Sequence, residues 1–351
     1  MYFTLEPKSD PEDFYDMEEE LKSFIHALNS YKFIIVKGLR RYGKTSLILT
    51  GLNLSRLDYL FIDCRLLPLT ALSFDDFLSL IEFEISRKHK IKSLLKSIEY
   101  VQLGDIIKFR FRKPEVLLRI FEDLENIVFV LDEAQELRKL RFRLDYFLAY
   151  ALDHLRIKIV VSGSQVGLLY NFLRVNDPEA PLYGRPYKVV DIKPLSREKS
   201  IDFLIKGFQR EQIKIENDKI LEAVENFDGI IGWLAYFGYN YVRGEREIEA
   251  IIERAAKIAV SELNHFLETR GLGRLRYVAV LDTIAKLERA SWSEIKTRLE
   301  ARFSKIQDTI LANILKNLVS AGILEKRNNE YSLSDPVMKI ALKKYSKNLL
   351  Y

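Results

Sequence analysis

Cysteine is almost absent from this chain. Cys64 stands alone among 351 residues, so no disulfide can form within the chain and nothing points to an oxidising compartment. His26, His89, His154 and His265 are widely spaced and the cysteine has no sulfur neighbour, which leaves out the ligand spacings of a structural zinc site. No apolar run approaches the length of a membrane span; residues 127–131 are typical, closed at once by Asp132 and Glu133. The opening thirteen residues mix acid, base and proline, which predicts no leader segment and, with the rest, a cytoplasmic protein with no membrane contact. One-sided charge is missing too, because 55 Lys and Arg face 50 Asp and Glu, and an excess of +5 permits contact with nucleic acid without demanding it. No serine-hydrolase nucleophile motif occurs.

What the chain does have is apolar material, 48% against 30% charged residues, in a length beyond that of one hydrophobic core. Asp16 is placed to cap a helix with Glu19 in the reciprocal position, and Leu21, Phe24 and Leu28 give that helix its apolar face. Short apolar runs at 31–36, 59–63, 127–131 and 157–161 read as strands and alternate with helical patterns at 44–52, 74–86 and 144–155. Such alternation predicts an α/β sheet covered on both faces. Beyond 183–185 a short apolar run at 189–192 gives way to helices, broken at Asp228, Gly229 and Gly232. Past Gly271, helical stretches at 274–286, 293–302 and 306–321 precede a two-stranded ribbon at 322–333 with a charged turn, the pattern of a winged helix. The expected division is an α/β domain at 1–191, a helical domain at 192–270 and a winged helix at 271–351.

The chemistry concentrates at three strand ends. Gly38, Leu39, Arg40, Arg41, Tyr42, Gly43, Lys44, Thr45 and Ser46 run from the end of a strand through a loop into the start of a helix, with the glycine spacing that lets backbone amides curl around phosphate. Lys44 is suited to the terminal phosphates of ATP and the Thr45 hydroxyl to a magnesium ion. Asp132 and Glu133 close the strand at 127–131; Asp132 suits the magnesium shell and Glu133 the orientation of an attacking water. After the strand at 157–161, Ser162 or Ser164 is placed to sense the γ-phosphate, although serine and glycine are also ordinary turn material there.

Taken together, these boxes resemble the archaeal ATPase family within the AAA+ and STAND group of P-loop proteins, and the likeness spans nearly the whole chain. Residues 14–21 resemble the family's opening helix, with Met17 where an arginine is common; 131–135 and 162–164 resemble its acidic and sensing boxes. Pro181, Leu182, Tyr183, Gly184 and Arg185 resemble its downstream box. The resemblance implies a P-loop AAA+-like domain, a helical lid that includes 193–208 and 228–234, and a terminal winged helix. It makes Arg185 the candidate arginine for the terminal phosphate, in the same chain or a neighbouring one. Trp233 reads as a core residue ahead of one packed on the lid turn. The implied activity is magnesium-dependent hydrolysis of ATP to ADP and phosphate by a molecular switch or remodelling protein. The alternative is a nucleotide-regulated DNA-binding or scaffold protein with little turnover.

Partners other than ATP or ADP are less legible. Residues 281–351 hold 13 Lys or Arg against 8 Asp or Glu, which favours weak contact with duplex DNA. Within 306–321, however, only Lys316 is basic while Asp308 is acidic, so backbone contact is expected over base reading, and a protein partner or self-association stays open. Two further basic clusters, 108–113 and Arg138, Lys139, Arg141 and Arg143, are suited to phosphates or to a solvated edge.

Overall fold

The computed structural model describes residues 2–67, 73–88, 91, 95, 100–103, 106–109, 113–303 and 305–349. His89 and residues 110–112 of the first basic cluster lie outside the described residues. The chain builds two compact units, Pro7–Lys193 and Met1–Glu6 together with Pro194–Tyr351.

In the first unit the order is α1 (Glu18–Ser30), β1 (Phe33–Lys37), α2 (Lys44–Ser55), β2 (Tyr59–Asp63), α3 (Phe74–Ser86), β3 (Tyr100–Leu103), β4 (Ile106–Phe109) and α4 (Lys113–Asp123). Then come β5 (Val128–Asp132), α5 (Leu144–His154), β6 (Lys158–Gly163), α6 (Val166–Leu173) and β7 (Lys188–Asp191). Five strands form one sheet in the order β2-β5-β6-β1-β7, every neighbouring pair parallel. Residues 33–36 are all buried, as a strand covered on both faces requires, and this is why the sequence shows apolar runs instead of alternation. The parallel register sets Val36 beside Ser162 and Leu131 beside Val161, so the carboxyl ends of β1, β5 and β6 emerge together. β3 and β4 pair only with each other among the described strands.

One local expectation fails. Asp16 does not cap α1; Met17 occupies that position, and both residues take left-handed conformations with φ of 54° and 57°. A capping side chain needs an extended backbone at the cap, which this left-handed turn does not offer, and Met17 is buried there instead. Glu18, Glu19 and Glu20 crowd the first turn, where carboxylates meet the positive end of the helix.

The second unit is mainly helical: α7 (Arg197–Arg210), α8 (Asn217–Phe227), α9 (Ile231–Val242), α10 (Ile248–Glu268) and α11 (Arg274–Leu287). It continues with β8 (Arg289–Ser291), α12 (Trp292–Phe303), α13 (Asp308–Ser320), β9 (Leu324–Arg327), β10 (Glu330–Leu333) and α14 (Pro336–Tyr345). The three short strands form an antiparallel sheet ordered β8-β10-β9, which completes the winged helix. Gly229, at φ 73°, lies so close to the Leu195 carbonyl that no side chain fits there, a close lid turn of the kind its glycine predicts. Trp233 is buried, and its indole N–H donates to the Asp335 carboxylate at 3.0 Å while the same carboxylate accepts from the Val337 amide at 2.8 Å to cap α14. It is a core residue with a satisfied polar edge.

The N-terminal segment is part of this unit. Phe3 is wholly buried against Phe203 and Phe208, and its ring occupies the space that a Cβ at Gly207 or Gly238 would need. Phe3→Ala should therefore destabilise the unit by about 3–5 kcal/mol, the usual cost of emptying a buried aromatic site. Both tryptophans lie in this unit, so a urea titration followed by their fluorescence reads the change as a lowered midpoint. An unchanged midpoint would show that the ring packs without consequence.

Candidate functional site

The loop between β1 and α2 is shaped by its glycines. Gly38 has φ 155° and an added Cβ would stand 2.8 Å from the Ile192 carbonyl oxygen; Gly43 has φ 87° and opens α2 directly. Lys44, only 4% exposed, turns back into this loop: its ammonium donates to the Leu39 carbonyl at 3.0 Å and lies 3.6 Å from the Glu133 carboxylate. Burial lowers the lysine pKa, and the two carboxylates Glu133 and Asp132 oppose that shift.

At the end of β5, Asp132 is fully buried. The Thr45 hydroxyl donates to one of its carboxylate oxygens at 2.9 Å, and the Ser162 hydroxyl donates to the other. Burial and the neighbouring Glu133 charge raise its pKa, against these two hydrogen bonds and Lys44. Glu133 sits in the left-handed region at φ 53°, which turns its side chain into the same cluster. Its carboxylate accepts from the Ser164 amide at 3.1 Å, the Ser164 hydroxyl at 2.5 Å and the Gln135 side-chain amide at 2.5 Å. Burial alone would push Glu133 up, but the Lys44 charge and these hydrogen bonds outweigh it and hold the group at about 2.

Lys44, Thr45, Asp132, Glu133, Ser162 and Ser164 thus come together. Ser46 and Arg185 have other partners. The Ser46 hydroxyl accepts from the Lys8 amide at 3.0 Å. Arg40 lies near enough to act on Lys44 as a like charge that lowers its pKa. Arg185 is held by Asp153, at 3.2 Å from its Nε and 2.5 Å from a terminal nitrogen, and also donates to the Pro181 carbonyl. Asp153 lies in the last turn of α5, beside Leu152 and Leu155, whose carbonyls accept from Lys32 at 3.0 and 3.1 Å just before β1 begins. Arg185 is therefore at the amino ends of the parallel strands, while Lys44 and Asp132 are at the carboxyl ends. The second basic cluster is largely neutralised locally: Lys139 pairs with Glu136 at 2.9 Å and Arg143 with Asp145 at 2.7 Å.

Gln135, which falls in the acidic box at 131–135 with no role assigned to it from the sequence, also belongs to the site. It is buried, holds Glu133 through its amide nitrogen, and leaves its carbonyl oxygen without a hydrogen-bond partner. Its position two residues after the strand-end acids was the available signal.

Parallel strands with a glycine loop, a buried lysine and a strand-end carboxylate define a P-loop nucleotide-binding protein of the AAA+ fold, with a helical lid and a C-terminal winged helix. Residues 14–237 match the model of the ATPase domain predominantly from Archaea, and the chain belongs to that family. Residues 273–334 match the C-terminal winged helix-turn-helix domain of MCM proteins. The Walker-type ATPase PABY2304 of Pyrococcus abyssi is similar over 98% of this chain and 100% of its own, at 33% identity and a TM-score of 0.85. An uncharacterized protein of Methanocaldococcus jannaschii, MJECL04, is 27% identical over 319 residues, 90% of this chain. The chain spans 62% of that curated relative. Family membership implies ATP binding, and no described helix is long and apolar enough to cross a membrane.

Proposed function

We propose that the chain is a magnesium-dependent ATPase acting as a molecular switch, and the observation that carries this reading is the double engagement of Lys44 with Leu39 and Glu133. A carboxylate held at about 2 is a weak proton acceptor. Phosphate entering the loop competes for the same ammonium. Once Lys44 turns to phosphate, Glu133 loses its main counter-charge, its proton affinity rises, and it becomes able to orient and polarise a water. The basal site is thus kept idle by the residue that binds the substrate.

The Thr45 hydroxyl and the Asp132 carboxylate, 2.9 Å apart, are the hard oxygens that suit magnesium, which beside phosphates uses only one or two side chains. Among the described residues no group of three His, Cys, Asp or Glu stands ready to hold a metal unaided, so the phosphates would supply the remaining ligands. Bound there, the ion would neutralise charge on the phosphates. Ser162 orients Asp132, and Ser164 passes the state of Glu133 to β6. The lid at 192–270 and the winged helix at 271–351 are the proposed recipients of the change, in the cytoplasm.

Arg185 is assigned to a neighbouring copy's γ-phosphate, because within its own chain it stands at the far strand ends. Since it must first leave Asp153, Arg185→Ala should reduce hydrolysis by about 10- to 100-fold, less than the full effect of a preformed arginine finger. Release of labelled phosphate from ATP, with and without duplex DNA, tests the ATPase reading; no release above buffer would favour the alternative, a nucleotide-gated DNA-binding or scaffold protein. That alternative draws support from the saturation of Glu133 by donors. Mixing Arg185→Ala with Lys44→Ala then tests the assignment of the arginine: recovered turnover supports supply between chains, and no recovery places it within the chain or outside the reaction.

A further inference from the structure

We propose that α13 reads duplex DNA with a preference for A·T base pairs, and that Asn313 sets the preference. The proposal rests on the winged helix meeting DNA and adds what it reads there. Leu311, Ile314, Leu315 and Leu318 bury one side of α13. Thr309, Ala312, Asn313 and Lys316 are exposed at the i, i+3, i+4 and i+7 spacing, so they form one stripe along its outer side.

The composition of that stripe is informative. An asparagine amide matches the paired acceptor and donor of adenine in the major groove, and the methyl groups of threonine and alanine match the thymine methyl. Small side chains let the helix approach base edges closely. No arginine is present, and arginine is the usual partner of guanine. Asn317, the other amide of the helix, is engaged with the Tyr277 hydroxyl at 2.7 Å, which leaves the reading role to Asn313.

Charge complementarity selects the occupant. Arg298 and Arg302 of α12, Lys305 before α13, and Lys326 of β9 are all exposed around the stripe in the chain. Four of the nearby acids are turned to local partners, Asp308 pairing with Lys296 at 2.6 Å, Glu294 accepting from the Ser291 amide at 2.8 Å, Glu300 from the Ile306 amide at 3.3 Å, and Glu325 pairing with Arg327 at 2.8 Å, while Glu330 at the start of β10 is exposed. A protein partner would look for a large apolar or aromatic anchor, and the stripe has none.

The test is fluorescence anisotropy of the full chain with labelled duplexes of about 20 base pairs, one A·T-rich and one G·C-rich, at several salt concentrations. The A·T duplex should bind about fivefold more tightly or better, the lower range for one amide reading one base pair. Asn313→Ala should abolish that difference while leaving the G·C affinity and the salt dependence in place, and Asn313→Arg should move the preference toward G·C. Arg302→Ala should weaken both duplexes equally and lower the salt slope by about one. Equal binding of both duplexes, unchanged in Asn313→Ala, would overturn the A·T reading and leave backbone contact standing. Binding of neither duplex at low salt would overturn both and identify the winged helix as a protein-contact module.

Discussion

Lys44→Ala should lose ATP affinity by about 100-fold or more and show no measurable turnover, since removing one member of a buried, hydrogen-bonded charge pair commonly costs about 2–5 kcal/mol. Titration with labelled ATP measures the first effect and phosphate release the second. Equal affinity and equal turnover would remove the phosphate loop from the mechanism. The same substitution has a consequence that needs no nucleotide. Glu133 is held at about 2, below its ordinary value of 4.5, so it contributes stability that is complete above about 4.5 and is lost as pH falls toward 2. Without Lys44 that depression shrinks, and stability should depend less on pH in this window. Asp132 is shifted the opposite way by burial and by Glu133, so the informative quantity is the difference between the two proteins in acid unfolding. Leaving two buried carboxylates without their cation is itself destabilising. Lys44→Arg, which keeps the charge while changing the shape, separates that loss from the loss of phosphate recognition.

The strand ends were legible in the sequence because their causes are local. A glycine at each end of the loop, an apolar run before it and a helix after it are all contained within residues 33–55, and the structure places Lys44 and Thr45 at the start of α2 accordingly. Asp132 and Ser162 follow for a similar reason: in parallel strands, the residues that end each run must emerge side by side. Features that depend on distant partners were not legible. Nothing near Phe3 foretells that Gly207 and Gly238 leave room for its ring, and nothing near Arg185 foretells Asp153. Asp16 has a capping residue's composition without a capping residue's backbone. The expectation of backbone contact for α13 came from counting residue types, and what a count cannot show is that Asn313 is exposed while Asn317 is engaged.

Glu133→Gln should keep nucleotide binding and lose about 100- to 10,000-fold in hydrolysis, the range attributed to a positioned general base. The change preserves shape and retains an oxygen able to accept from Ser164, so the cluster at the end of β6 should stay assembled. What it removes is the charge 3.6 Å from Lys44. The ammonium then has no full carboxylate to leave at that point, and ATP affinity should equal or exceed that of the unaltered protein. This pairing of effects, tighter or equal binding with much slower turnover, separates the proposed competition from a simple loss of structure, which would weaken both. Ser164→Ala supplies the intermediate case: it removes one hydroxyl donor, raises the proton affinity of Glu133, and should change turnover by far less than Glu133→Gln. Single-turnover phosphate release alongside equilibrium binding of ATP distinguishes the cases. Unchanged release in Glu133→Gln would take this carboxylate out of the water-positioning role, and weaker ATP binding in the same variant would refute the idea that Glu133 and phosphate compete for Lys44.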